Sequence, residues 1–253
     1  MTQESTKPLS SVGLACDVLD TLHELGGAGV TELAKELNCS KSTAHRQLTT
    51  LYNKEYLVKD GSQYQIGYKC LDLATRVRDQ INNYDVISEE IESLAEETGE
   101  TAQFATEEHG RVVYLYKARG NQGVQTSSNV GTREFFHSTA LGKVMMAYMS
   151  EERIDEIIDR HGLPAKTEKT VSDRESLMQD LEEIRERGYA IDDEENVHGL
   201  RCVAAPVLQD DDILGAASVS GPSRRMEGER FDEELPNIVT RTANVIELNS
   251  KFS

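Results

Sequence analysis

The sequence predicts an α+β chain of two domains: a small helical domain closed by a β-hairpin, then a larger antiparallel sheet flanked by helices. Three observations predict it. The 253 residues exceed the ~100–200 of one ordinary domain. The first third shows helical periodicity ending in an Asp-Gly hairpin, and the rest alternates strand-like and helix-like segments. Charge divides along the same line. Residues 1–82 hold nine Lys+Arg and ten Asp+Glu, whereas the remainder holds 18 against 35, so nearly all of the net −18 belongs to the second part.

The first element is SVGLACDVLDTLHEL (11–25), which spaces Val12, Ala15, Val18, Leu19, Leu22 and Leu25 as one helical stripe and stops at Gly26-Gly27. After the GGAG turn, Thr31 is placed to cap a short helix, TELAKEL, with Leu33, Ala34 and Leu37 inward. Asn38-Cys39 breaks that helix. Ser40 then caps KSTAHRQLTTLYNKE, whose seam is Ala44, Leu48 and Leu51. Next, YLVKDGSQYQIG (56–67) reads as two strands turning around Asp60-Gly61.

Two short helices joined by a tight turn and followed by a hairpin form a winged helix-turn-helix, which docks its second helix in the DNA major groove. The candidate DNA contacts are Ser40, Lys41, Ser42, Thr43, His45, Arg46, Gln47 and Thr50 on the helix, with Lys59, Ser62 and Gln63 on the wing. Hydroxyls and helix-start N–H groups suit phosphate, and Arg46 and Gln47 suit base edges. Net acidity opposes DNA binding, but within 35–69 six cations face three anions. The acidic clusters at 192–195 and 210–212 are expected of a halophilic protein. Concentrated salt weakens counterion release, leaving more of the binding to hydrogen bonds.

In the second part, 69–82 reads as a connecting helix and 86–98 as another. TAQFAT and RVVYLYKAR form a hairpin across EEHG, and LRCVAAPVL and ILGAASVS a second across the acidic turn at 210–212. Helices are expected at 139–149, 151–161, 173–187 and 228–249. Ser138 or Thr139 caps the first of these, which leaves the N–H groups of Ala140, Leu141 and Gly142 outward as an anion site. Lys143, one turn in, reads as a ligand cation or as a surface charge, and is left out of the site.

From TELAKELNCSKSTAHRQLTTLYNKEYLVKDGSQYQIGYKCLDLA through FFHSTALGKVMMAYMS (135–150), RERGYAIDDEENVHGLRCVAAPV (185–207) and GAASVSGPSRRM (215–226), the chain resembles the IclR family of transcription regulators over nearly its whole length. The resemblance implies a homodimer or homotetramer and an effector domain of GAF/profilin-like architecture. It also implies effector contacts at Ala140, Leu141, Asp192, Cys202, Ser218 and Ser220. Thr126 is a further candidate at the rim. Ser218 and Ser220, two apart, share one strand face, Asp192 accepts from hydroxyls, and Cys202 offers a small polarisable wall. Together they suit a hydroxylated carboxylic acid such as a sugar acid or keto acid. Each also has a structural reading: Cys202 as a buried apolar residue, the serines as backbone partners, and Asp192 as a cap.

The expected division is thus 1–68 for the winged helix-turn-helix, 69–83 for a linker helix and 84–253 for the effector-binding domain. Effector binding is expected to alter linker or oligomer geometry and so the spacing of two recognition helices. No cofactor or metal is expected, since the four cysteines lie far apart with no CxxC pair. Nor is enzymatic activity, with no HExxH, GxSxG or P-loop present. The alternatives are a metabolite-binding module acting through protein partners, or a hydrolase using Cys202 with His198 or Ser220 with a carboxylate. No apolar run approaches the ~18 residues of a membrane helix, and the N-terminus lacks signal-peptide features, so a cytoplasmic location is expected.

Overall fold

The computed structural model describes residues 9–124, 128–210 and 212–250, the side chain of Ser250 excepted. The chain divides into two compact units, the first ending at Gln80 and the second starting at Ile81.

In the first unit, α1 (Ser10–Leu25), α2 (Val30–Glu36) and α3 (Lys41–Asn53) surround a core of Val18, Leu22, Leu33, Ala34, Ala44, Leu48 and Leu51. The apolar stripe of α1 is shorter than its periodicity implies. Val12 and Leu25 are exposed because the helix runs past the core at both ends. Helix α2 starts two residues early: Gly29, not Thr31, is its N-cap, and Thr31 lies inside the first turn without a capping role. The GGAG segment is also more than a turn. Ala28–Gly29 forms strand β1, which pairs with β3 (Gln63–Ile66), itself paired with β2 (Leu57–Asp60). Asp60 opposite Gln63 makes Gly61-Ser62 the two turn residues, one position beyond Asp60-Gly61. Gly61, with φ +56°, takes the first central position, where primed hairpin turns require a positive φ. Helix α4 runs from Lys69 to Arg78, short of residue 82, and buries none of its residues.

The second unit is a six-stranded antiparallel sheet between two helical layers. Its strands are β4 (Thr101–Glu108), β5 (Arg111–Arg119), β6 (Arg133–Glu134), β7 (Ala190–Asp193), β8 (Leu200–Gln209) and β9 (Asp212–Pro222), in the order β6-β5-β4-β9-β8-β7. The EEHG connection shrinks to His109-Gly110, both at positive φ, because β4 continues through both glutamates. On one face, Ala102, Phe104, Val203, Ala205 and Val219 pack on α5 (Tyr84–Thr98) and α9 (Leu235–Ser250). On the other, Ala105, Ala190, Ala204 and Ala216 pack on α6 (Ala140–Met146), α7 (Glu151–His161) and α8 (Arg174–Arg187). Alternation of inward sides along each strand produces the two faces. The alanines on the second face leave room for α6 against the sheet.

Helix α6 depends on one glycine. A Cβ on Gly142 would lie 2.2 Å from the carbonyl oxygen of Phe136, so only glycine lets the helix pack against the segment leading into it. No helix among the described residues is long and apolar enough to cross a membrane.

Candidate functional site

Two regions carry exposed or partnerless polar groups where the sequence places function. The first is α3. Asn38, at φ +46°, takes the left-handed turn that Asn tolerates and redirects the chain from α2. Ser40 then caps α3, its Oγ accepting from Thr43 N at 3.1 Å and lying 2.9 Å from Thr43 Oγ1. With Ala44, Leu48 and Leu51 buried, helical spacing leaves Lys41, Ser42, His45, Arg46 and Thr50 exposed together. Arg46 forms no ion pair among the described residues. Thr43 and Gln47 are half-buried. Gln47 Nε2 donates to the Ser11 carbonyl at 3.3 Å, so this residue braces α3 against α1 instead of standing free for a base edge. Thr50 Oγ1 donates to the Arg46 carbonyl at 2.8 Å. On the wing, Lys59, Ser62 and Gln63 are exposed, and Lys59 Nζ sits 5.2 Å from the centre of the Tyr64 ring.

The second region is a cavity of about 60 Å³ at the start of α6, room for a few waters or a small polar molecule. Sheet register assembles one wall. Thr101 pairs with Ser220, Ser220 with Cys202, and Cys202 with Asp192, so one row crosses four strands. The next row on that face is Gln103, Ser218 and Ala204. Helix α6 forms another wall: Thr139 caps it, its Oγ1 accepting from Gly142 N at 3.0 Å. That bond occupies the Gly142 N–H, leaving those of Ala140 and Leu141 without partners among the described residues.

Of the residues expected at the effector site, Ala140, Leu141, Asp192, Cys202 and Ser220 line the cavity together. Ser218 is fully buried on the same sheet face, its Oγ without a hydrogen-bond partner among the described residues. Thr126 lies outside the described residues. Gln103, Tyr114, Glu134, Asn196 and Arg201 also line the cavity and were not anticipated. Inward-facing Gln103 and Tyr114 on otherwise apolar strands were the available signal; for Glu134 and Asn196 there was none.

The electrostatics of the cavity are set by burial. Asp192, 6% exposed, is pushed up to about 7 by desolvation first and then by neighbouring Glu195. Its Oδ1 accepts from Glu195 N at 2.7 Å and Asn196 N at 3.3 Å. Burial, reinforced by Asp192, pushes the Cys202 thiol well above its ordinary range, so it stays protonated. Ser220 Oγ donates to the Thr101 carbonyl at 3.5 Å. Arg201, the one cation among the described lining residues, is spent on Asp193 Oδ1 at 2.5 Å and the Met226 carbonyl at 2.8 Å. Lys143 is neither a ligand cation nor a surface charge. It is buried and paired with Asp180 and Glu195. No group of three or more His, Cys, Asp or Glu among the described residues is placed to hold a metal ion.

A helix-turn-helix with a wing, followed by a helix-flanked sheet enclosing a polar cavity, defines a DNA-binding regulator with a sensory domain. Residues 11–61 match the IclR helix-turn-helix domain, and residues 76–248 match the C-terminal domain of the bacterial transcriptional regulator IclR. The chain belongs to the IclR family of transcriptional regulators. It is 32% identical to the probable HTH-type transcriptional regulator ArcR of Halobacterium salinarum, over 95% of this chain and 93% of that one. It is 30% identical to the HTH-type transcriptional regulator KdgR of Escherichia coli, over 94% and 91%. Among solved structures, the IclR of Thermotoga maritima superposes with a TM-score of 0.78 at 28% identity, covering 95% of this chain and 98% of that one.

Proposed function

We propose that this regulator grips operator DNA through the exposed face of α3, with Ser40, Lys41, Ser42, Thr43 and Thr50 on phosphates and Arg46 and His45 at base edges. Lys59, Ser62 and Gln63 of the wing add backbone contacts, and Gln47 sets the pitch of α3 through Ser11. The observation that carries this reading is a polar helix face led by an arginine with no ion pair among the described residues, opposite a fully apolar seam.

The effector is a small hydroxylated carboxylic acid, a sugar acid or keto acid. The free N–H groups of Ala140 and Leu141 suit its carboxylate. Asp192 and Ser220 suit its oxygen functions, and occupancy alters operator affinity. Hydrolysis is disfavoured, because the Cys202 thiol is held protonated and a nucleophile needs ionisation or a base in reach. The working form is a homo-oligomer, dimer or dimer of dimers. Supporting this, α4 buries none of its residues, and Leu71, Val77 and the preceding Tyr68 are largely exposed. The acidic second unit suits a halophilic cytoplasm.

Fluorescence anisotropy of the full chain on DNA from upstream of its own gene, titrated with sugar acids and keto acids, tests the reading. Specific binding that an acid strengthens or weakens supports it. Absence of binding at every salt concentration contradicts it.

A further inference from the structure

Lys143 lies on α6 one turn beyond Ala140, and its Nζ sits 2.8 Å from Asp180 Oδ2 on α8 and 2.7 Å from Glu195 Oε1. Glu195 belongs to the turn after β7, and other groups hold that turn as well. Its N–H bonds Asp192 Oδ1, and its carbonyl accepts from Thr170 Oγ1 at 2.6 Å. The lysine therefore ties together two walls of the cavity, the α6 start and the segment from Asp192 to Val197. Glu195 is 8% exposed, and its second oxygen, Oε2, has no hydrogen-bond partner among the described residues.

Two carboxylates, Asp180 and Glu195, share this one ammonium, and Asp192 makes no ion pair among the described residues, its Oδ1 bonded to the backbone N–H groups of Glu195 and Asn196. The charged groups acting on Asp192 are Glu195 from its own turn and Lys143 from α6, and Asp192 in turn opposes ionisation of Tyr114 on β5 and Cys202 on β8. Glu134 of β6 lines the same cavity. Lys169 is engaged by Asp193 and Glu194, and Arg201 by Asp193. Lys166 is engaged by Glu134, so among the described residues Asp192 is the lining carboxyl left without an ion pair, and an unpaired buried charge is relieved by taking a proton.

We propose that Glu195, held by Lys143, is a positioning residue for Asp192 and keeps its side chain a hydrogen-bond donor, so that the pocket takes a carboxylate group together with a proton. The proposal rests on the pocket reading above. The occupant's carboxylate meets the N–H groups of Ala140 and Leu141 and the O–H of Asp192, whose proton comes from solvent and stands in for a free cation, Arg201 being engaged by Asp193. Asp192 Oδ1 is already occupied by two backbone N–H groups, which leaves the other oxygen to carry the proton. The burial that raises Asp192 and the Glu195 charge that raises it further both favour this form near neutrality. Substituting Glu195→Gln preserves an acceptor for Lys143 and removes that charge.

Carboxyl-detected NMR of the full chain labelled with [13C]aspartate reads Asp192 without any ligand, the signal being assigned by its loss in Asp192→Asn. The expected result is a wild-type midpoint near neutrality that falls by a unit or more in Glu195→Gln. An Asp192 signal already ionised at pH 6, or a midpoint that Glu195→Gln leaves in place, overturns the proposal. A purely structural role for Glu195 would lower thermal stability and leave the midpoint unmoved. With pyruvate and D-gluconate as probes, calorimetric affinity should drop about tenfold per pH unit above the Asp192 midpoint. Asp192→Asn, a permanent donor, should flatten that dependence and keep the affinity at high pH; loss of binding in this variant at every pH would overturn the donor role. If neither probe binds at any pH, the acid-effector reading loses its support while the NMR titration still decides the protonation of Asp192.

Discussion

The outward face of α3 and the inner face of the second sheet use the same residue types, hydroxyls, amides and a few charges, in opposite surroundings. On α3 the polar groups are in water and await a partner. In the cavity they are desolvated, so each must be bonded, neutral, or kept for a ligand. Arg46 is ready as it stands, whereas Lys143 and Arg201, cations of similar reach, are consumed by carboxylates. The difference explains why net charge predicts little here: the proposed DNA-reading face is one exposed helix side carrying Lys41 and Arg46, and most of the acidic residues belong to the second unit.

Substitutions sharpen this contrast. The largest effect is expected at Gly142. A methyl group there collides with backbone, so Gly142→Ala should destabilise the second unit by about 3 kcal/mol, measured by denaturant unfolding. Acid binding should be lost, and the first unit should keep its fold. Arg46→Ala should weaken specific operator binding by about 2 kcal/mol, read by anisotropy, with no change in thermal stability. An equal loss on random DNA would make Arg46 a phosphate contact instead. Ser40→Ala should cost about 1 kcal/mol through the lost cap of α3, visible as a lower unfolding midpoint of the first unit.

A pH effect separates the two regions further. Asp192 has its folded value raised to about 7, so its protonated form is favoured by folding. Its contribution is fully present below the ordinary aspartate range and is lost as pH rises through about 7. Wild-type Tm should therefore fall relative to Asp192→Asn between pH 5 and pH 8. A constant difference over that range would contradict the buried, proton-holding aspartate.

Much of the first unit was legible in the sequence because its cues are local. The seam of Ala44, Leu48 and Leu51 follows from helical spacing, and the Ser40 cap from side-chain chemistry. The misreadings there involve distant partners. Strand β1 exists because β3 pairs with Ala28–Gly29, and Gly29 displaces Thr31 as cap. In the second unit the α+β class and the main strands were readable from alternation. The cavity was legible at Ala140 and Leu141 from the cap chemistry that opens α6, and at Asp192, Cys202 and Ser220 only where the family resemblance pointed. Gln103 and Tyr114 reach it through sheet register. The burial of Lys143 depends on carboxylates 37 and 52 residues downstream, which no local pattern displays.

The central claim is that DNA and effector are read by separate sets of side chains on one chain, and a crossed comparison tests it most directly. Operator affinity and acid affinity would be measured by anisotropy and calorimetry for wild type, Arg46→Ala and Asp192→Asn. Arg46→Ala is expected to lose operator binding with acid binding intact, and Asp192→Asn to change the pH profile of acid binding while effector-free operator binding stays at wild-type strength. Unchanged operator binding by Arg46→Ala would contradict it.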